Sequence, residues 1–201
     1  MYSSSVSVAI LSVASLLWTN LNIASAVDKT LEERASGKDV VEAVVEKIRR
    51  ANFPDDSQFI RRLAHVETKD GVSNLTYYPA TNYAGIWKVN ESFYNKTKDP
   101  SLSNQHAAIQ SAFNIAWANT TQQDLLKPLY SGLAARLYID SVGQTIPQRL
   151  KDQASFWAQH YNSRDGLTSE DFLNQTEEYE NSTVRCNGKI YRLGRYVGFL
   201  W

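Results

Sequence analysis

The sequence predicts a mainly α-helical domain that carries a small loop or strand lobe and ends in a hairpin. Apolar residues recur at helical spacing in six stretches, whereas residues 71–95 are rich in Tyr and Asn and contain Gly and Pro. Asn187-Gly188 stands between two short β-prone runs, a pattern typical of a hairpin within residues 184–201. With 43% hydrophobic and 21% charged residues among 201, the composition is that of a globular protein with a substantial core.

The first two predicted helices are separated by Phe53-Pro54. The first begins near Ser36, which forms a capping-box pattern with Asp39. Its apolar residues follow at spacings of three and four: Val41, Val44, Val45 and Ile48. Asp55 or Asp56 caps the second helix, and Gly71 ends it. Its buried face is predicted from four positions in register: Ile60, Leu63, Ala64 and Glu67.

Four further helices follow from the same spacing. The third carries five positions on one face: Ile109, Ala112, Phe113, Ala116 and Trp117. The fourth begins near Pro128 and the fifth at Pro147, because proline is favoured in a first helical turn. The sixth begins at Thr168, where Asp171 completes a capping box.

Residues 1–26 contain no Lys, Arg, Asp or Glu and predict a secretory signal peptide. The apolar run Val6–Trp18 is shorter than the roughly 20 residues of a membrane span. An Ala-x-Ala pattern ends at Ala26, where we expect cleavage; a buried N-terminal helix is the alternative. We expect a secreted protein without a membrane span after cleavage, with an N-terminal helical segment at 27–52, the principal domain at 53–183 and a basic, aromatic tail at 184–201.

Six sequons support a secreted glycoprotein, and they lie at Asn74, Asn90, Asn95, Asn119, Asn174 and Asn181. The single cysteine, Cys186, cannot form an internal disulfide. Equal numbers of basic and acidic residues, 21 of each, argue against nucleic acid as a partner. The three histidines show no metal-ligand spacing, and no phosphate-binding or dinucleotide motif occurs, so we expect neither a metal nor a cofactor.

Glu67 is the position that a purely structural interpretation explains least well. It continues an apolar stripe, and a buried carboxylate responds to desolvation with a raised pKa. A protonated Glu is what a general acid needs in order to protonate a leaving oxygen. The alternative is a Glu paired with Arg61, Arg62 or Lys69, or one exposed by fraying of the helix near Gly71.

Three segments, in this order, resemble the goose-type lysozymes and lytic transglycosylases of the lysozyme-like superfamily. They are Arg61–Thr68, Tyr83–Asn90 and Ala154–Asn162, and the resemblance covers roughly residues 53–165 of the domain. In that family a Glu followed by Ser or Thr ends a core helix and is the catalytic acid, which implies this role for Glu67. The resemblance also implies that Gly85, Ile86, Trp87 and Lys88 bind saccharide on the opposite wall of a cleft and that Tyr161 points toward the acid. The flat rings of Tyr83 and Trp87 suit the apolar faces of sugars, and core packing is the alternative for Trp87.

The resemblance implies a glycosidase that cleaves peptidoglycan or a chitin-like oligosaccharide. The chain differs from the family at Lys88, where the family has Gln, and at Asn90, where goose-type enzymes have an Asp that positions water. Asn90, Asp70 or Glu91 could supply the second polar group that inverting hydrolysis normally uses. Lytic transglycosylases use one Glu, because a group on the sugar attacks. The alternative function is a glycan- or protein-binding module that no longer cleaves.

Overall fold

The computed structural model describes residues 27–74, 76–77, 83–162 and 166–185. The predicted signal peptide and the predicted hairpin from Cys186 onward lie outside these residues, as do the side chains of Tyr83 and of residues 182–185.

The described part of the chain is mostly helical, which confirms the predicted fold class. Its seven α-helices are α1 (Lys38–Arg50), α2 (Phe59–Thr68), α3 (Glu91–Lys96), α4 (Ser103–Phe113), α5 (Pro128–Ser141), α6 (Leu150–His160) and α7 (Ser169–Arg185). Four 3₁₀ helices accompany them, at Lys29–Leu31, Pro100–Leu102, Trp117–Asn119 and Gln122–Leu126. None of these described helices is long and apolar enough to cross a membrane.

The small lobe is a two-stranded antiparallel hairpin followed by a short helix. Strand β1 (Tyr83–Ala84) pairs with β2 (Val89–Asn90), and the N–H of Lys88 donates to the carbonyl of Gly85 at 3.1 Å to close the turn. Helix α3, which apolar spacing did not predict, begins directly after β2 because the Asn90 Oδ1 accepts the N–H of Phe93 at 2.7 Å.

Helix α5 is the centre of the core. Every residue from Pro128 to Ile139 is buried except Tyr130, so this helix is surrounded on all sides. Helix α1 packs closely on it, since a Cβ placed on Gly132 would lie 2.6 Å from the Cγ1 of Val44. The predicted start of this helix at Pro128 is confirmed.

Several predicted boundaries are wrong by a few residues. Helix α1 is capped by Gly37 rather than Ser36, and α6 begins at Leu150 rather than Pro147. Helix α4 ends at Phe113 because Asn114 adopts a left-handed conformation, with φ of 55°. Helix α7 extends to Arg185, so the first two residues of the tail predicted at 184–201 are helical.

Two predicted caps are present. Asp56 accepts the backbone N–H groups of Gln58 and Ile60, both at 3.1 Å, at the start of α2. Asp171 accepts the N–H of Thr168 at 2.7 Å at the start of α7. The carboxylates thereby satisfy backbone donors that a helix leaves unpaired at its N-terminus.

Candidate active site

The C-terminal end of α2 leads into a turn with an unusual backbone. Lys69, Asp70 and Gly71 all have positive φ, at 52°, 63° and 84°. The turn is held by Gly37, whose N–H donates to the Asp70 carbonyl at 2.8 Å, and by Thr68, whose Oγ1 accepts the Gly71 N–H at 2.8 Å. Left-handed residues other than glycine persist where surrounding contacts hold them, and such residues are frequent at functional sites.

Glu67, in the last turn of α2, is 7% exposed. Its Oε1 accepts the indole N–H of Trp157 at 2.8 Å, which joins α2 to α6 across 90 residues of sequence. The burial that the apolar stripe of α2 predicted for Glu67 is therefore confirmed.

The three basic residues near Glu67 in the sequence form bonds with other acids. Arg61 pairs with Glu42 and Asp70. The remaining two contact α7: Arg62 lies 2.8 Å from Glu180, and Lys69 lies 3.6 Å from Glu178.

The turn of the hairpin is bonded to both helices of the site. The Thr68 hydroxyl donates to the carbonyl of Ile86 at 2.7 Å, and the Trp87 indole donates to the carbonyl of Ile60 at 2.9 Å. From the end of α6, the Tyr161 hydroxyl donates to the carbonyl of Trp87 at 2.6 Å. The structure thus brings together the three segments on which the family resemblance depends.

Tyr161 lies close enough to Glu67 for a negative charge on Glu67 to disfavour ionisation of the phenol. Burial raises the pKa of the Tyr161 phenol well above its ordinary value, and the carboxylate of Glu67 raises it further. The phenol therefore stays protonated and serves as a hydrogen-bond donor to the hairpin.

Gly85 allows the hairpin to sit against the core. Its φ is 72°, and a Cβ at this position would lie 2.3 Å from both the Leu125 carbonyl oxygen and the Ser131 Oγ. The same Oγ accepts the N–H of Trp87 at 3.3 Å. Gly85 is thus required for close packing of the backbone, and direct contact with a saccharide is not needed to explain it.

The expected roles of Ile86 and Trp87 in saccharide binding need correction. Both side chains are fully buried and offer no surface to a sugar, so their contribution is to the core and to the backbone of the hairpin. Tyr161 is 2% exposed and likewise acts through its hydroxyl on the hairpin. Lys88 is half-buried, with φ of 48°.

The candidates for a second polar group have other roles in the structure. Asp70 is 6% exposed and accepts two hydrogen bonds from Arg61, at 2.8 Å and 3.0 Å. Burial by itself raises the pKa of Asp70, but His65 and Arg61 outweigh it and hold the pKa below its usual value. The Asn90 Oδ1 caps α3, and Glu91 is exposed in the first turn of that helix.

Sequence reasoning missed Trp157 as a partner of Glu67. The available signal was its position four residues before Tyr161, which places both residues on one face of α6. An aromatic residue on an apolar stripe is usually a core residue, so spacing alone did not distinguish the indole N–H as a donor to a carboxylate.

The sequons fall on the surface. Asn74, Asn95, Asn119, Asn174 and Asn181 are exposed, and Asn90 is half-buried. Their glycosylation remains a prediction.

Among the residues that the structure describes, no group of three or more His, Cys, Asp or Glu could hold a metal ion. No family model, curated protein or solved structure matches the chain.

Proposed function

We propose that the chain is a secreted lysozyme-like glycosidase that cleaves the β-1,4 links between N-acetylmuramic acid and N-acetylglucosamine, with Glu67 as its single general acid. One observation carries this proposal. A nearly buried carboxyl group is held at 2.8 Å by an indole N–H, and the next residue, Thr68, is bonded to the hairpin that Tyr161 also anchors.

The surroundings of Glu67 suit an acid. Its carboxyl group is nearly buried, and a general acid needs a protonated carboxyl group that can donate to the glycosidic oxygen. The bond from Trp157 fixes one carboxyl oxygen, which gives the group a defined orientation. Pre-organised donors and acceptors of this kind contribute to catalysis because they need no rearrangement during the reaction.

A mechanism with one carboxyl group fits the roles of the neighbouring residues. Asp70 is engaged by Arg61, and the Asn90 oxygen caps α3. In such a mechanism Glu67 gives its proton to the leaving oxygen, and a hydroxyl of the same muramic residue then attacks its anomeric carbon. Glu67 takes the proton of that hydroxyl and is restored, and the product has an anhydro end.

A glycan-binding module that does not cleave is the second candidate. The observation that favours it is the same use of Asp70 and Asn90 in structural bonds, which engages both oxygens of Asp70 and the Oδ1 of Asn90. Inverting hydrolysis needs a base with room for a water molecule between it and the acid.

The test is release of soluble fragments from peptidoglycan by the wild type and by Glu67→Gln. Gln retains an oxygen that accepts the Trp157 N–H but cannot act as the acid, so we expect activity to fall by ~10²–10⁴-fold while binding to peptidoglycan persists. Glu177→Gln on the exposed side of α7 is the matched control and should leave activity unchanged.

The products distinguish the alternatives. Fragments with anhydro ends support the single-carboxyl mechanism, and fragments with reducing ends indicate hydrolysis. Undiminished activity in Glu67→Gln would contradict the role of Glu67. If the wild-type protein binds peptidoglycan but releases no fragments, the chain is the binding module.

A further inference from the structure

A cavity of about 260 Å³ lies at the start of α2, between α1, α2 and α5. Four apolar side chains form part of its wall: Val45, Ile48, Phe53 and Ile60. Charged residues line the rest, namely Arg49, Asp55, Asp56 and Arg136. Ile60 and Glu67 are seven positions apart on α2, about 10 Å along the helix, so this cavity is distinct from the candidate active site.

Arg136 is the most informative residue of this cavity. It lies on the central helix α5 and is 2% exposed. Its Nε donates to the Asp140 Oδ1 at 3.0 Å, and its guanidinium carbon is 5.4 Å from the centre of the Phe53 ring. Within the described part of the chain, its two terminal nitrogens make no hydrogen bond. Arg136 lines the cavity, so a ligand or water there can accept from these nitrogens.

The shape of these donors selects a ligand group. The two terminal nitrogens of a guanidinium form a planar fork that matches a carboxylate. Phe53 packs beside the guanidinium and helps to exclude water, which strengthens a charged hydrogen bond. The structure therefore provides a partner for a carboxylate at the wall formed by α5.

The charges on the wall argue against a simple anion or cation. Two basic residues and two acidic residues line the cavity, so its walls carry no net charge. Both oxygens of Asp56 accept backbone N–H groups, whereas Asp55 is exposed and its Oδ1 accepts the Ser57 N–H at 3.2 Å. A phosphate dianion would be repelled by the two acids, and a simple amine would be repelled by Arg136.

We propose that this cavity binds a small α-amino acid with an apolar side chain. Its carboxylate would pair with the fork of Arg136, its ammonium group would face Asp55, and its side chain would pack against Ile48 and Phe53. The volume agrees with a small occupant, because pockets for drug-sized ligands are typically ~300–1,000 Å³.

The test is a calorimetric titration of the full chain with three probes of similar size. L-Leucine carries both charges, 4-methylpentanoate lacks the ammonium group, and 3-methylbutylamine lacks the carboxylate. We expect leucine to bind more tightly than either of the others. Equal affinities for leucine and 4-methylpentanoate would overturn the proposed recognition of the ammonium group. An absence of leucine binding would overturn the proposed site.

Two variants locate the binding. Arg136→Lys keeps the positive charge beside Asp140 but loses the fork, and we expect it to weaken leucine binding by about tenfold or more. Arg149→Lys, an exposed residue at the start of α6, is the matched control. Asp55→Asn keeps the acceptor for the Ser57 N–H and should weaken the binding of leucine but not that of 4-methylpentanoate. This variant tests the proposal even if Arg136→Lys fails to fold. Leucine binding that is unchanged in both variants would place the ligand elsewhere and overturn the proposal.

Discussion

Two Arg–Asp pairs in the described part of the chain are nearly buried, and they differ in how many hydrogen bonds they make. Arg61 donates from both terminal nitrogens to Asp70, at 2.8 Å and 3.0 Å, and from Nε to Glu42 at 2.7 Å. Arg136 donates from Nε alone to Asp140, and the Oδ2 of Asp140 has no partner among the described residues.

The pKa values of the two acids are shifted in opposite directions. Burial raises the pKa of Asp140, the negative charge of Asp56 raises it further, and Arg136 and Gln105 do not compensate. Burial acts on Asp70 as well, but His65 and the paired donors of Arg61 lower its pKa below the usual value. Burial thus raises the pKa at both sites, and the neighbouring charges and donors decide the direction of the net shift.

The largest effect should come from removing the charge of one acid from each pair. Asp70→Asn leaves Arg61 without its bidentate partner, and we expect a loss of about 3–5 kcal/mol in the free energy of unfolding. Asp140→Asn keeps an acceptor for the Nε of Arg136 and removes a carboxylate whose charged form burial disfavours, so a smaller loss is expected. Urea denaturation at neutral pH measures both. Equal losses would mean that the two pairs contribute alike, contrary to their hydrogen bonding.

The pH dependence of stability should separate the two pairs by sign. The folded pKa of Asp70 is lowered, so its stabilisation is present above the unfolded value of about 3.9 and is lost as pH falls through the folded pKa. The folded pKa of Asp140 is raised, so its cost is present at neutral pH and is relieved as pH falls through that value.

Urea denaturation from pH 7 downward should therefore show two opposite trends. The stability difference between the wild type and Asp70→Asn should shrink at acidic pH. The wild type should gain relative to Asp140→Asn over the same titration. Parallel trends in the two comparisons would contradict the assigned directions.

The smallest effect on stability is expected at Asn90, where a substitution removes a single hydrogen bond. Asn90→Gln should lower the free energy of unfolding by about 1 kcal/mol, because Gln is a poor helix cap. Asn90→Asp should preserve it, since a carboxylate accepts the same N–H and suits the N-terminus of α3. Ser92→Ala removes the sequon without altering the cap and is the control for an attached glycan. Thermal denaturation of the three variants compares them, and equal losses in Asn90→Gln and Ser92→Ala would assign the effect to the glycan.

Local sequence patterns predicted the features that depend on spacing along one helix. The stripe of α2 predicts that Glu67 faces the core, Pro128 predicts where α5 begins, and the Thr168–Asp171 pair predicts the cap of α7. These features follow from helix geometry, which repeats every 3.6 residues and leaves its first N–H groups unpaired.

Only the tertiary structure decided which partner each polar side chain takes. Arg61, Arg62 and Lys69 all stand within six residues of Glu67 in the sequence, yet each forms an ion pair with another acid. The indole that does bond Glu67 is 90 residues away, and the burial of Arg136 beside a cavity depends on how α1 and α2 pack on α5. Helical spacing determines the face on which a side chain lies, whereas its partner depends on which distant segments pack against that face.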